Sequence, residues 1–183
     1  MSSFLAIDFE TANYSADSAC AIGLVRVENG KISHEEVHLI KPPSSEFYFT
    51  HIHGLTWDEV KYSCNFGGLW PEIAPLFEKV DFLAAHNSSF DSKVLKSCCD
   101  TFGITVPPSD FTCTVQLARK MWEVRPTKLP NVANFLGLDL DHHDALSDSR
   151  ACANIVIAAE RDGWDFHTGF DNVGEHYIAI DQQ

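Results

Sequence analysis

The chain has 183 residues, 45% apolar and 21% charged, a balance that predicts one globular domain with a sizeable core and excludes a low-complexity or disordered chain. Its net charge of −13 argues against a broadly basic nucleic-acid-coating surface, and no apolar run is long enough to span a bilayer. The opening segment lacks the basic n-region and cleavage site of a secretion signal, and none of the six cysteines forms a C-x-x-C pair, so a cytoplasmic protein with reduced, mostly core thiols is expected.

In chain order, Phe4 to Asp8 reads as a buried strand. Ala19 to Val27 reads as a second, and Asn29-Gly30 as a hairpin turn, because both residues tolerate positive φ. Lys31 to Ile40 returns antiparallel as the third strand, until Pro42-Pro43 breaks it. An irregular stretch is expected through His51 and His53. Leu69 to Lys79 carries Trp70, Ile73, Leu76 and Phe77 at helical spacing. Asp81 to Ala85 is a fourth buried strand, followed by a helix capped by Ser88 or Ser89 and bearing Phe90, Val94, Leu95 and Cys98. A short strand at Phe111 to Thr114 is expected next. Helices at Val115–Trp122, Leu129–Leu136 and Ala145–Arg161 complete the pattern. A hairpin followed by alternating strands and helices predicts an α/β domain over residues 1–165 with a mixed sheet, and a tail over 166–183.

The chemistry lies in acids that stand where apolar residues belong. Asp8 and Glu10 share one face of the first strand, with Phe9 on the other. Asp148 continues the apolar stripe of Cys152, Ile155 and Ala159, and Asp91 that of Leu95 and Cys98. A buried, unpaired carboxylate is costly, so each needs a cation, a salt bridge or a helix N-terminus. Four acids in one pattern favour a shared cation site. Oxygen ligands select hard ions, Mg2+ or Mn2+, and two such ions suit phosphoryl displacement. His142 and His143 precede the Asp148 helix, and either could reach the site as a proton acceptor. Arg119, Lys120, Arg125 and Lys128 gather four cations within ten residues, as a phosphate-facing patch or a solvated surface. The four tryptophans are expected in or beside the core.

Three segments resemble the motifs of the DEDDh (DnaQ-like) family of 3′→5′ exonucleases, which includes the epsilon subunit of bacterial DNA polymerase III. They are Phe4-Leu5-Ala6-Ile7-Asp8-Phe9-Glu10-Thr11-Ala12-Asn13, His86-Asn87-Ser88-Ser89-Phe90-Asp91 with Leu95, and His143-Asp144-Ala145-Leu146-Ser147-Asp148. His53-Gly54-Leu55-Thr56 resembles a further family loop, in which His51 and His53 make structural hydrogen bonds. The resemblance implies a ribonuclease H-like five-stranded sheet flanked by helices. It implies two Mg2+ or Mn2+ ions on Asp8, Glu10, Asp91 and Asp148, with His143 as general base and His142 as a bystander. Thr11 and Ala12 would line the terminal-nucleotide pocket, with His86 and Asn87 in support, and Asp144 would face solvent. The implied reaction releases nucleoside 5′-monophosphates from a single-stranded DNA or RNA 3′ end, and it brings a DNA polymerase into view as a partner. The competing readings are a non-catalytic nucleic-acid-binding scaffold and a phosphohydrolase acting on nucleotides. A helical HD-type hydrolase, suggested by His143-Asp144, conflicts with the strand-rich first half.

Overall fold

The computed structural model describes residues 1–168. Five strands form one mixed sheet: β1 (Phe4–Thr11), β2 (Ala19–Glu28), β3 (Lys31–Leu39), β4 (Phe82–Ala85) and β5 (Phe111–Cys113), in the order β3-β2-β1-β4-β5. β1 to β3 run antiparallel, and β4 and β5 add in parallel to β1. The hairpin turn is as read, with Asn29 and Gly30 at φ 53 and 72.

Helices cover both faces, because the pleat of β1 sends its side chains alternately to each. Leu5, Ile7 and Phe9 pack against α3 (Phe66–Ile73) and α4 (Ser89–Phe102). Phe4 and Ala6 pack toward α5 (Thr114–Met121), α6 (Leu129–Leu136) and α7 (Ala145–Arg161). Asp8 and Glu10 continue this second face, so the acids point to the α7 side.

Several local expectations are corrected. A short helix, α1 (Thr50–His53), occupies the stretch expected to be irregular, and a second unanticipated one, α2 (Trp57–Val60), follows it. A capping box between Thr56 and Glu59 holds the second. The helix expected from Leu69 to Lys79 starts at Phe66, where the Asn65 side chain caps it. It tightens to a 3-10 turn over Ala74–Phe77, since Pro75 has no N–H to continue the ladder. Ser88 stands at the start of α4 without a side-chain capping bond. Cys64 is exposed, while Cys20, Cys98, Cys99 and Cys152 are core residues as expected. Trp164 is buried and Trp57, Trp70 and Trp122 are half-buried.

The packed chain reaches Phe166, whose ring lies 4.5 Å from that of Phe82. The rest of the expected tail, from residue 169, lies outside the described residues. Among the described residues, no helix is long and apolar enough to cross a membrane.

Gly23 sets how closely α7 approaches the sheet. A Cβ there would lie 2.0 Å from the Ala145 carbonyl oxygen and 2.7 Å from Ser149 Oγ. Gly23 pairs with Asp8 across the ladder, and Ala145 opens the helix that carries Asp148. Gly23→Ala is therefore expected to cost at least about 2 kcal/mol in urea unfolding, because backbone has to move. It should also reduce activity, by pushing Asp148 away from Asp8.

Candidate active site

The C-terminal end of β1 and the first turns of α4 and α7 meet at one cleft of about 580 Å³. β1 supplies Asp8 and Glu10, both half-buried on its floor. α4 supplies Asp91, 1% exposed, whose Oδ1 accepts the Phe9 N–H at 3.1 Å. α7 supplies Asp148, 3% exposed. Asp148 Oδ2 accepts the His143 N–H at 3.1 Å and sits 2.9 Å from His142 Nδ1, whereas Oδ1 is buried with no hydrogen-bond partner. One carboxylate oxygen each from Asp8, Glu10 and Asp148 lies within 4.8 Å of the others. Asp91 is beside this trio rather than in it, fixed to the β1 backbone.

The sequence thus brings four acids together with little to neutralise them. Among the described residues, no lysine or arginine pairs with any of the four; the one basic partner is His142. Burial, then the charges of Asp91, Asp148 and Glu10, push Asp8 well above its ordinary value. Burial and then Asp148 raise Glu10 to about 8. Burial raises Asp91 to about 7, against the opposing Phe9 N–H. Asp148 is raised by burial and held back by the His143 N–H and His142. Without a cation the cluster holds protons near neutral pH, and a divalent ion would displace them. The all-oxygen trio and the orphaned Asp148 Oδ1 fit a hard divalent cation.

His142, for which the resemblance implied no role, lies beside Asp148. Its imidazole holds Asp148, and the His143 ring stacks on it at 3.8 Å. The six-residue separation of His142 from Asp148 is the available signal, and it is weak. His143 has φ 72, is exposed, and lines the cleft. Burial and then the neighbouring His142 lower its proton affinity, so it is neutral at pH 7. Asp144 faces solvent as expected, accepting the Ser147 N–H at 2.8 Å to cap α7.

Thr11 lines the cleft, but Ala12 does not. Its methyl packs in a small cluster with Cys20 and Val60, and its carbonyl accepts the Tyr48 N–H at 2.7 Å. Asn87 lines the cleft at φ 68. His86 is tied at both ends, with Nδ1 2.9 Å from Thr114 Oγ1 and Nε2 donating to the Thr127 carbonyl at 3.0 Å. Burial depresses it to about 4, so it stays neutral. His53 makes the structural bonds expected, donating through Nε2 to the Thr11 carbonyl at 3.2 Å and accepting the Leu55 N–H at 3.1 Å. Phe49, Ile52 and Phe90 form an apolar wall of the cleft, and Arg119, Thr127 and Lys128 a polar one.

Residues 5–156 match the family model of the RNase_T exonucleases. The chain belongs to this exonuclease family, of the DEDDh type. Among its relatives, Exodeoxyribonuclease 10 of Escherichia coli K12 is 30% identical over 170 residues, covering 86% of this chain and 69% of that protein. DNA polymerase III PolC-type of Thermotoga petrophila is 28% identical over 159 residues, and the chain spans 12% of that polymerase's length. Two solved structures share the family fold. Exonuclease X in complex with 5′ overhanging duplex DNA superposes with a TM-score of 0.72 at 24% identity, over 93% of this chain and 99% of that one. The nuclease domain of 3′hExo, a DEDDh family member bound to rAMP, gives 0.76 at 20% identity, over 88% and 93%. The ribonuclease H-like sheet expected from the sequence is thus the family architecture.

Proposed function

We propose that this family member hydrolyses the 3′-terminal phosphodiester of single-stranded DNA or RNA and releases nucleoside 5′-monophosphates. The observation that carries the reading is the trio of Asp8, Glu10 and Asp148 with the unpartnered Asp148 Oδ1. Asp8, Glu10 and Asp148 would hold one Mg2+ or Mn2+, and Asp8 a second, with Asp91 assisting. Such ions supply Lewis-acid stabilisation of the attacking and leaving oxygens, and a more acidic water.

The chain's own residues do the rest. Asp91 fixes the β1 backbone beside Asp8, so the carboxylates keep their spacing. His142 and the His143 N–H orient Asp148. His143, neutral and at the cleft mouth, accepts the proton of the attacking water. Thr11, Asn87 and the wall of Phe49, Ile52 and Phe90 seat the terminal nucleotide. His143→Ala is expected to lower kcat by about 100-fold to 10,000-fold, the usual range for removing a general base. Single-turnover rates at saturating substrate measure it.

The same reading assigns catalysis to the domain expected over residues 1–165, whose packing extends to Phe166. The likeness to PolC-type polymerases favours a DNA polymerase as a working partner. The buried, unpaired thiols suit a cytoplasmic setting.

The test is a 5′-labelled oligonucleotide with Mn2+, run as matched DNA and RNA. A ladder shortening from the 3′ end supports the proposal. Hydrolysis of nucleoside triphosphates with intact oligonucleotides would replace it.

A further inference from the structure

The chain carries a net charge of −13, and most cations with a visible partner are bound to acids. Arg26 pairs with Glu28, Lys61 with Asp58, Arg150 with Glu35 and Arg161 with Asp162. Exposed lysines elsewhere, Lys31, Lys41, Lys79, Lys93 and Lys96, also have no carboxylate partner among the described residues, but three such cations stand together beside the cleft. Arg119, Arg125 and Lys128 are exposed and have no carboxylate partner among the described residues. They surround a groove of about 290 Å³ with Pro126 and Thr127. Arg119, Thr127 and Lys128 also line the catalytic cleft, so the groove continues it.

The segment is held in place. Thr127, 9% exposed, accepts a bond from His86 through its carbonyl and one from Arg119 Nε through Oγ1, at 3.0 and 2.9 Å. His86 stays neutral, so this tie adds no charge, and it joins the segment to the loop before Asp91. Unmatched cations in an acidic protein, fixed at the mouth of an acidic site, suit an external polyanion.

We infer that Arg119, Arg125 and Lys128 form a phosphate track for the nucleotides upstream of the scissile bond, so that the substrate is an oligonucleotide rather than a free nucleotide or dinucleotide. The inference rests on the exonuclease reading and deepens it. Thr127 and His86 are positioning residues for the track. The acidic remainder of the surface repels strand beyond it, so binding is confined to a few phosphates.

The experiment uses octathymidylate with Mn2+ between 50 and 200 mM salt, with full-length wild type and the double variant R125A/K128A. The variant should raise KM about 10-fold while kcat changes less than about two-fold. It should flatten the slope of log KM against log salt by roughly 1.4, at about 0.7 for each phosphate of a single strand left without its cation. The charge-retaining R125K/K128R should restore the slope. Lys31→Ala, at the distant hairpin, should leave it as in wild type. An unchanged KM and slope in R125A/K128A would overturn the track, as would an equal effect from R125K/K128R. Anisotropy of labelled octathymidylate on the Asp8→Asn background reads the track without turnover. If wild type fails to hydrolyse but this binding keeps its charge-dependent slope, the track stands and the exonuclease reading falls.

Discussion

Asp8→Asn is expected to lower the exonuclease rate by at least about a thousand-fold, equivalent to ~4 kcal/mol of transition-state stabilisation. Asp8 stands at the centre of the acid cluster, and the charges that most raise its proton affinity after burial are Asp91, Asp148 and Glu10. In the proposed mechanism it is the one acid that would help to hold both ions. The amide keeps the size of the side chain and removes its charge. The fold therefore survives, and the mutual repulsion among the acids falls. Without added metal, Asp8→Asn should melt a few degrees above wild type at pH 8, because a like charge has left a buried cluster. Activity and stability thus move in opposite directions. A variant that lost both would point instead to a structural role for Asp8. Steady-state hydrolysis of a labelled oligonucleotide, with thermal melts in EDTA, measures the pair.

The second large effect is a link between pH, metal and stability. Glu10 is raised to about 8 and Asp91 to about 7 in the folded chain, against ordinary values of 4.5 and 3.8. Between those limits the folded state holds protons that the unfolded state has released. Their contribution to stability is therefore complete below about pH 4 and is lost as pH rises through 7 to 8. The metal-free protein should melt at progressively lower temperature from pH 5 to pH 8. A divalent cation reverses the trend, since it takes the place of the protons. At a hundred times its dissociation constant an ion adds about 2.7 kcal/mol, or roughly 5–10 °C for a chain of this size. That gain should be largest at pH 8 and small at pH 5, where protons compete. Thermal melts with Mn2+ or EDTA across this range decide it. A metal-free protein that gains stability from pH 5 to 8 would contradict the electrostatics of the cluster.

The acids were legible in the sequence because each breaks an apolar pattern. Asp8 ends a run of buried residues, and Asp91 and Asp148 interrupt helix stripes whose other members are core residues. The sheet was legible for a different reason: short, nearly continuous apolar runs in β1 and β2, joined to β3 by the Asn29-Gly30 turn, leave few alternatives. Short-range chemistry was harder to read. α1 has four residues and no buried side chain, so it leaves no periodic trace. Gly67 and Gly68 hide the start of α3, which Asn65 fixes by a single hydrogen bond. Ser88 has the composition of a cap, yet its own backbone is already helical, at φ −51 and ψ −19, and its side chain makes no capping bond.

Functional roles were misjudged where they depend on a local backbone turn or on which segments the fold brings together. His142 reaches Asp148 because the turn at His143 takes a positive φ, which no spacing rule anticipates. Ala12 sits in a motif but turns its methyl away from the cleft, because the ladder shifts register between Glu10 and Thr11. The cations at 119, 125 and 128 read as a patch or a solvated surface. Only the fold sets them against the cleft and shows which of them lack acid partners.

The most direct measurement is an anomalous difference map from crystals soaked in Mn2+ with a nucleoside 5′-monophosphate. The account predicts a strong peak bonded to Asp8, Glu10 and Asp148, with Asp148 Oδ1 among its ligands. A map with no peak between these carboxylates, or with Asp148 Oδ1 turned onto a protein donor, would contradict it.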